Sequence, residues 1–103
     1  MIASKYHNRR SGGYASRREA TRAWELRMLE QAGKIGDLEE QKPFELIPRQ
    51  EGERSMVYIA DFVYREPPNG ELVVEDAKGM RTPLYICKRK LMLLVYGIRI
   101  REI

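Results

Sequence analysis

Sulfur and imidazole ligands are scarce in this chain of 103 residues, which contains one cysteine and one histidine. A single cysteine excludes an internal disulfide and a cysteine-rich zinc module. A single histidine excludes the His pair of a zinc hydrolase, and the sequence offers no convincing Cys–His or Ser–His dyad. Zinc hydrolysis is therefore removed from the candidate activities.

Long apolar runs are also missing from the chain. No stretch approaches the roughly 20 residues that a membrane-spanning helix needs. The N-terminal MIASKYHNRR lacks the apolar segment of a secretory signal. We therefore expect a cytoplasmic protein with no membrane partner. The length allows one domain, and an apolar share of 43% predicts a packed but small core.

Charge is distributed unevenly behind a net value of +4. The first eighteen residues carry basic but no acidic side chains, a second basic cluster lies near the C-terminal end, and acids dominate residues 37–53. Separated basic clusters suit nucleic acid, although a solvated basic face is the alternative interpretation. The candidate nucleic-acid contacts are Arg9, Arg10, Arg17, Arg18, Lys88, Arg89 and Lys90.

Two helices are predicted from their capping signals. A capping box at Ser16-Arg17-Arg18-Glu19 starts the first helix, whose apolar stripe includes Trp24 and places it in the expected core. Thr82-Pro83 starts the second helix, which continues to about Tyr96. The residues before the first helix, 1–15, are interpreted as a basic arm, and residues 16–103 as the folded domain.

Four strands are predicted over residues 39–48, 56–65, 71–78 and 98–103. Turn residues around Asn69-Gly70 join the second and third strands as an antiparallel hairpin. Pro43 places the early part of the first strand at a sheet edge because proline cannot donate to a ladder. The predicted order is helix, three strands, helix, strand.

Aspartates interrupt the apolar faces of the predicted hairpin. Strict alternation groups Val57, Ile59, Asp61 and Val63 on one strand and Leu72, Val74, Asp76 and Lys78 on the next. A carboxylate on an apolar face is costly unless a cation or hydrogen-bond donors compensate. In one interpretation Asp61 and Lys78 form a cross-strand ion pair. In the other, Asp61 and Asp76 converge on Mg²⁺, which prefers carboxylate oxygens, with Lys78 beside them.

Two segments, Ile59-Ala60-Asp61-Phe62 and Val73-Val74-Glu75-Asp76-Ala77-Lys78-Gly79, resemble the signature of the PD-(D/E)XK nuclease superfamily. That signature is an aspartate on one strand and acid-x-lysine on the next, although Ala60 stands here where the namesake motif has proline. The resemblance implies an αβββαβ, restriction-endonuclease-like α/β core with a mixed sheet flanked by two helices. The chain also resembles, almost end to end, a family of small phage and prophage proteins of unassigned function. The shared segments are Ser16-x-x-Glu19-Ala20, Tyr58-Ile59-Ala60-Asp61-Phe62, Glu75-Asp76-x-Lys78-Gly79 and Tyr96-Gly97-Ile98.

The resemblance to the superfamily implies a DNA endonuclease that uses Mg²⁺, with Mn²⁺ as a substitute. Asp61 and Asp76 would be ligands, with the backbone carbonyl of Ala77 as a further one. Glu19 occupies the place of a glutamate that the superfamily's first helix commonly supplies. Lys78 would orient the attacking water and stabilise the transition state.

Several neighbouring residues have other roles open to them. Glu19 also fits as the capping-box acid, in which case Glu25 is the fallback in the site. Gln41 could approach the site from the neighbouring strand. Glu75 is expected to point away from Asp76, as a surface residue or as a partner within the hairpin.

The substrate is expected to be recognised by its shape, such as a branch or junction, because no element that would read a base sequence is evident. A homodimer would supply two sites for two strands. The alternatives are a catalytically inactive nucleic-acid-binding module of the same fold, a phage structural or assembly protein, and a nuclease that acts on RNA.

Overall fold

A computed structural model describes residues 13–77 and 80–103, and these form two helices and four strands in the order αβββαβ. The small α/β domain predicted from the sequence is confirmed. Arg9, Arg10, Lys78 and Gly79 lie outside the described residues. The elements are α1 (Arg17–Gln31), β1 (Gly36–Ile47), β2 (Met56–Glu66), β3 (Glu71–Asp76), α2 (Pro83–Tyr96) and β4 (Arg101–Glu102).

Both helices begin where their capping signals predict. The hydroxyl of Ser16 accepts a hydrogen bond from the amide of Glu19 at 3.1 Å, and that of Thr82 accepts one from Tyr85 at 3.1 Å. Each bond satisfies an amide that has no partner within its helix. Gly97 ends α2 in the left-handed conformation, with φ 70°, which glycine adopts without steric cost.

The sheet is mixed, with the strand order β1-β2-β3-β4. The first three strands are antiparallel neighbours and β4 runs parallel to β3. β1 is an edge strand, as Pro43 predicts. β3 ends at Asp76, earlier than predicted, and β4 is limited to Arg101 and Glu102, which pair with Glu75 and Asp76.

Each face of the sheet carries an apolar cluster packed against one helix. The α2-side cluster contains Phe44, Leu46, Tyr58, Ala60, Val63, Val74, Tyr85, Met92 and Ile100. The α1-side cluster contains Ala23, Leu26, Ile35, Phe62, Tyr64 and Val73. Burial of these side chains on both faces provides the main drive for folding. The expectation that Trp24 belongs to the core is wrong, because its side chain is 62% exposed on the outer side of α1.

Side-chain alternation in β2 reverses at Asp61. Before it, Tyr58 and Ala60 pack in the α2-side cluster, whereas Phe62 and Tyr64 beyond it pack in the α1-side cluster. The even-numbered residues therefore change sides of the sheet at this point. The prediction of one continuous apolar face through Val57, Ile59, Asp61 and Val63 is wrong, and Ile59 is 53% exposed.

The reversal involves β1 as well. Glu40 pairs with Phe62 and Lys42 with Ala60, which brings Gln41 opposite Asp61. Gln41 has φ 55°, a left-handed conformation that is uncommon for a residue with a side chain. The two strands thus change face together, at a pair of polar residues that belong to neither apolar cluster.

Candidate active site

Asp61 and Asp76 come from adjacent strands and line one cavity of about 310 Å³. The register of β2 and β3 pairs Phe62 with Glu75, so one further step brings Asp61 opposite Asp76. Cross-strand neighbours in an antiparallel pair are close enough for their side chains to interact. The hairpin therefore brings the two predicted ligands to the same place.

Asp76 is the more deeply buried of the two aspartates, at 2% exposure. Its Oδ2 accepts a hydrogen bond of 2.6 Å from the hydroxyl of Tyr58 on β2. Burial and the bond to this carboxylate both raise the pKa of Tyr58, so the phenol keeps its proton and remains a donor. Tyr58 is a site residue that the sequence analysis missed, because its hydroxyl contacts a carboxylate 18 positions later in the chain, and such a contact leaves no local signal.

Asp61 is partly exposed, and both of its carboxylate oxygens accept hydrogen bonds. Oδ2 accepts one from the backbone amide of Ala77 at 2.8 Å, and Oδ1 accepts one from Gln41 Nε2 at 3.3 Å. The first bond fixes the backbone directly after Asp76. Lys78 follows Ala77 in the sequence but lies outside the described part of the chain. Its place beside the aspartates therefore stays a prediction, as does the ligand role of the Ala77 carbonyl.

Glu19 reaches the same region from the first turn of α1. Its Oε2 accepts a hydrogen bond of 3.0 Å from Gln41 Nε2, the amide nitrogen that also donates to Asp61. Burial raises the pKa of Glu19 and the carboxylates of Asp61 and Asp76 raise it further, against an opposing backbone hydrogen bond from Ala15. Glu19 therefore interacts with the backbone of Ala15 just before α1, and it also lies near the carboxylates of Asp61 and Asp76.

We call Glu19, Asp61 and Asp76, together with Gln41, the acidic site. Its three carboxylates are hard oxygen donors, which suit Mg²⁺ or Mn²⁺ by their chemistry. Within residues 13–77 and 80–103, no group of three or more acidic, histidine or cysteine side chains is already arranged to hold a metal ion. The amide of Gln41 lies between Glu19 and Asp61, so a cation shared by these two residues requires that side chain to move.

Two other acidic residues near the motif, Glu75 and Glu25, lie outside the acidic site. Glu75 does face away from Asp76, as predicted. Of the two positions expected for it, the surface one is wrong, since Glu75 is 0% exposed and pairs with Phe62 in the hairpin. It pairs with Arg22 of α1 at 2.6 Å. Glu25 forms an ion pair with the same arginine at 3.0 Å and lines a different cavity from Asp61.

The five basic candidates that the structure describes divide among three cavities. Lys88 lines the cavity that contains Asp61 and Asp76. Arg17 and Arg18 line a second one of about 620 Å³ beside the start of α1. Arg89 and Lys90 line a third one, of about 350 Å³, between α2 and the C-terminal residues. Lys88 therefore lies beside the two aspartates, whereas the other four residues line separate cavities.

β4 supports the site from the other edge of β3. The amide of Ile103 donates to the carbonyl of Asp76 at 3.0 Å. The carboxylate of Glu102 accepts hydrogen bonds from Arg81 at 2.8 Å, Tyr85 at 2.7 Å and Arg89 at 3.2 Å. The bonds from Arg81 and Tyr85 lower the pKa of Glu102 to about 2, so it stays charged and ties α2 to the sheet.

The fold and these contacts define a small α/β domain that gathers carboxylates where α1, β2 and β3 meet. The chain belongs to the family described as "Protein of unknown function (DUF1064)", whose sequence model matches residues 4–101. No curated protein and no solved structure matches the chain. Neither α1 nor α2 is long and apolar enough to cross a membrane.

Proposed function

We propose that the protein is an endonuclease that hydrolyses DNA phosphodiester bonds with the help of a divalent cation. The observation that carries this proposal is the grouping of the acids that the PD-(D/E)XK resemblance singles out. Glu19 and Asp61 share one amide donor, and Asp61 and Asp76 line one cavity. The αβββαβ order and the mixed sheet agree with the same resemblance.

Each carboxylate of the acidic site has a role in the proposed reaction. Asp61 and Asp76 would bind Mg²⁺ or Mn²⁺ through their oxygens, with Glu19 binding directly or through water and the Ala77 carbonyl as a further ligand. The cation, when bound, supplies charge for the phosphate oxygens and acidifies a water. Lys78 would orient the attacking water and neutralise the charge that develops on the phosphate. The product would carry a 5′ phosphate, by analogy with the superfamily.

The basic residues would hold the DNA by its backbone. Lys88 would contact a phosphate beside the aspartates. The remaining basic side chains would make further contacts that do not depend on the DNA sequence. Such binding weakens as salt is added, because it releases counterions. We expect selection by DNA shape, such as a branch or junction, and a homodimer acting on two strands in the cytoplasm during phage DNA metabolism. The other residues that would contact the DNA backbone are Arg9, Arg10, Arg17, Arg18, Arg89 and Lys90.

Cleavage of linear, flapped and four-way DNA with Mg²⁺ or Mn²⁺ tests the proposal. The wild type is expected to cut at least one of these substrates, and Asp61→Asn and Asp76→Asn are expected to abolish cutting while the fold is kept. Glu71→Gln is the matched control, because it removes an exposed carboxylate from the same strand as Asp76. Loss of cutting in the control as well, or equal cutting by all variants, would contradict the assignment. RNA versions of the substrates decide between the two polymers.

A nucleic-acid-binding module without catalysis is the second candidate. It is favoured by the Gln41 amide, which already satisfies Glu19 and Asp61 by hydrogen bonding and lies between them. In this candidate the acids serve the structure, and the basic residues alone contact the ligand. It predicts salt-sensitive DNA binding without cleavage at any cation concentration. A phage structural or assembly protein, in contrast, would show neither.

A further inference from the structure

Glu75, which is buried, and Arg22, which is partly exposed, form a two-point contact between β3 and α1. The Nε of Arg22 donates to one carboxylate oxygen of Glu75 at 2.8 Å, and a terminal nitrogen of the guanidinium donates to the other at 2.6 Å. The hydroxyl of Tyr64 also donates to Glu75, and Arg101 donates to that hydroxyl at 3.4 Å. A bidentate arginine–carboxylate pair fixes orientation as well as distance.

The guanidinium of Arg22 and the hydroxyl of Tyr64 together compensate the buried carboxylate of Glu75, since both of its oxygens accept hydrogen bonds. A charged carboxylate at 0% exposure is strongly dependent on its partners, because an unpaired charge in that position is very unfavourable. The pair therefore resists separation of α1 from β3.

The two partners stand next to residues of the acidic site in the sequence. Arg22 lies one helical turn after Glu19, and Glu75 immediately precedes Asp76. Alternation along β3 sends Glu75 towards α1 and Asp76 towards the cavity. The apolar contacts of α1 with the sheet, from Ala23 and Leu26, are not directional, so they do not by themselves fix how far the helix lies along the strands.

We propose that Arg22 and Glu75 are positioning residues that hold the first turn of α1 where Glu19 meets Gln41 and Asp61. The effect of this positioning on cleavage rests on the nuclease function proposed above. Its effect on the position of α1 does not. Two further polar contacts join α1 to β1, from Arg27 to Glu40 at 2.9 Å and from the amide of Leu38 to Glu30 at 3.0 Å. Both are more exposed and lie further along the helix, so they do not replace the contact of Arg22 with Glu75.

Hydrogen exchange tests the positioning directly, in Glu75→Gln and in the double variant Arg22→Met with Glu75→Gln. The double variant leaves no buried charge unpaired, so it is the one to use if the single variant does not fold. We expect the amides of residues 20–23 to exchange about tenfold faster, the factor expected when one charge-assisted hydrogen bond is lost, while those of Val63 and Val74 keep their protection. The matched control, Glu25→Gln, removes the exposed partner of the same arginine and should change neither region. Unchanged exchange at residues 20–23, or equal acceleration throughout the protein, would overturn the inference.

A double-mutant cycle tests the link to the site. If Glu75 acts through Glu19, Glu75→Gln lowers the cleavage rate of the wild type but has no further effect in Glu19→Gln, and Arg22→Lys retains more activity than Arg22→Met. Full additivity of the two losses would refute the link. A wild type that cuts no DNA would refute the proposed function instead, and the exchange experiment would still decide whether the pair positions the helix.

Discussion

Gln41 and Asp61 face each other across β1 and β2, with 3.3 Å between Gln41 Nε2 and Asp61 Oδ1. The contact forms where the side chains of both strands change sides of the sheet, and Gln41 adopts φ 55° there. The same nitrogen donates to Glu19 at 3.0 Å. One amide therefore holds two acids from separate elements, in a backbone conformation that persists only where the surroundings enforce it.

Gln41 is expected to stabilise the protein when no cation is present. Gln41→Leu keeps the size of the side chain but removes the donor to two carboxylates, and it should lower the free energy of unfolding by about 1–3 kcal/mol at neutral pH. Urea unfolding without divalent cation measures this change. The matched control is Gln31→Leu, which makes the same replacement at an exposed position in the last turn of α1. An equal loss in the two variants would contradict the bridging role.

Glu19 is expected to weaken the folded state at neutral pH. Its pKa in the folded protein is raised above the ordinary value of 4.5, so the folded state holds the proton more tightly than the unfolded chain. The resulting stability is complete below pH 4.5 and is lost as the pH rises through the folded pKa. Glu19→Gln does not suffer this loss, so it should melt at a higher temperature than the wild type at neutral pH. The difference should vanish in acid, and a variant that melts lower at neutral pH would contradict the raised pKa.

The hydroxyl of Tyr58 is expected to stabilise the folded protein by its hydrogen bond to the buried carboxylate of Asp76. Tyr58→Phe removes the 2.6 Å bond to this carboxylate, and we expect a loss of about 1–3 kcal/mol in the free energy of unfolding. Tyr96→Phe is the matched control, since its hydroxyl bonds the carbonyl of Glu45 at an exposed position. Chemical denaturation of both variants measures the difference. Similar losses in both variants would show that the bond to Asp76 contributes no more to the free energy of unfolding than the exposed bond of Tyr96.

Lys88 is expected to contact a DNA phosphate beside the aspartates. Lys88→Ala should weaken binding of all DNA sequences alike and reduce the slope of log affinity against log salt by about 1. Fluorescence anisotropy over a range of salt concentrations, in the Asp76→Asn background to prevent cleavage, measures this slope. Lys34→Ala, at an exposed position after α1, should leave the slope unchanged. The same slope in Lys88→Ala as in its parent would rule out the phosphate contact.

The elements were predictable because their signals are local. Ser16 and Thr82 cap helices through amides three residues away, and Gly97 ends α2 through its own backbone conformation. The approach of Asp61 to Asp76 was predictable as a possibility, since both aspartates lie on neighbouring strands of one hairpin. The sequence alone did not decide whether they meet, because the register of the hairpin is set by packing on both faces.

The features missed depend on contacts between distant parts of the chain. The reversal at Asp61 needs the left-handed backbone of Gln41 on another strand, so alternation counted along β2 alone gave the wrong buried face. Glu75 is buried because Arg22, 53 positions earlier, reaches it from α1. Trp24 shows the opposite error, since an apolar residue at helical spacing was assigned to a core that α1 fills with Ala23 and Leu26.

Cleavage of a four-way DNA junction with Mg²⁺, by wild type and Asp76→Asn purified in parallel, tests the role of the acidic site most directly. We predict cutting by the wild type that a chelator stops, and no cutting by Asp76→Asn, although the variant still binds the junction. Equal cutting by both proteins, or binding without cutting by the wild type on every DNA and RNA substrate and with either cation, would contradict it.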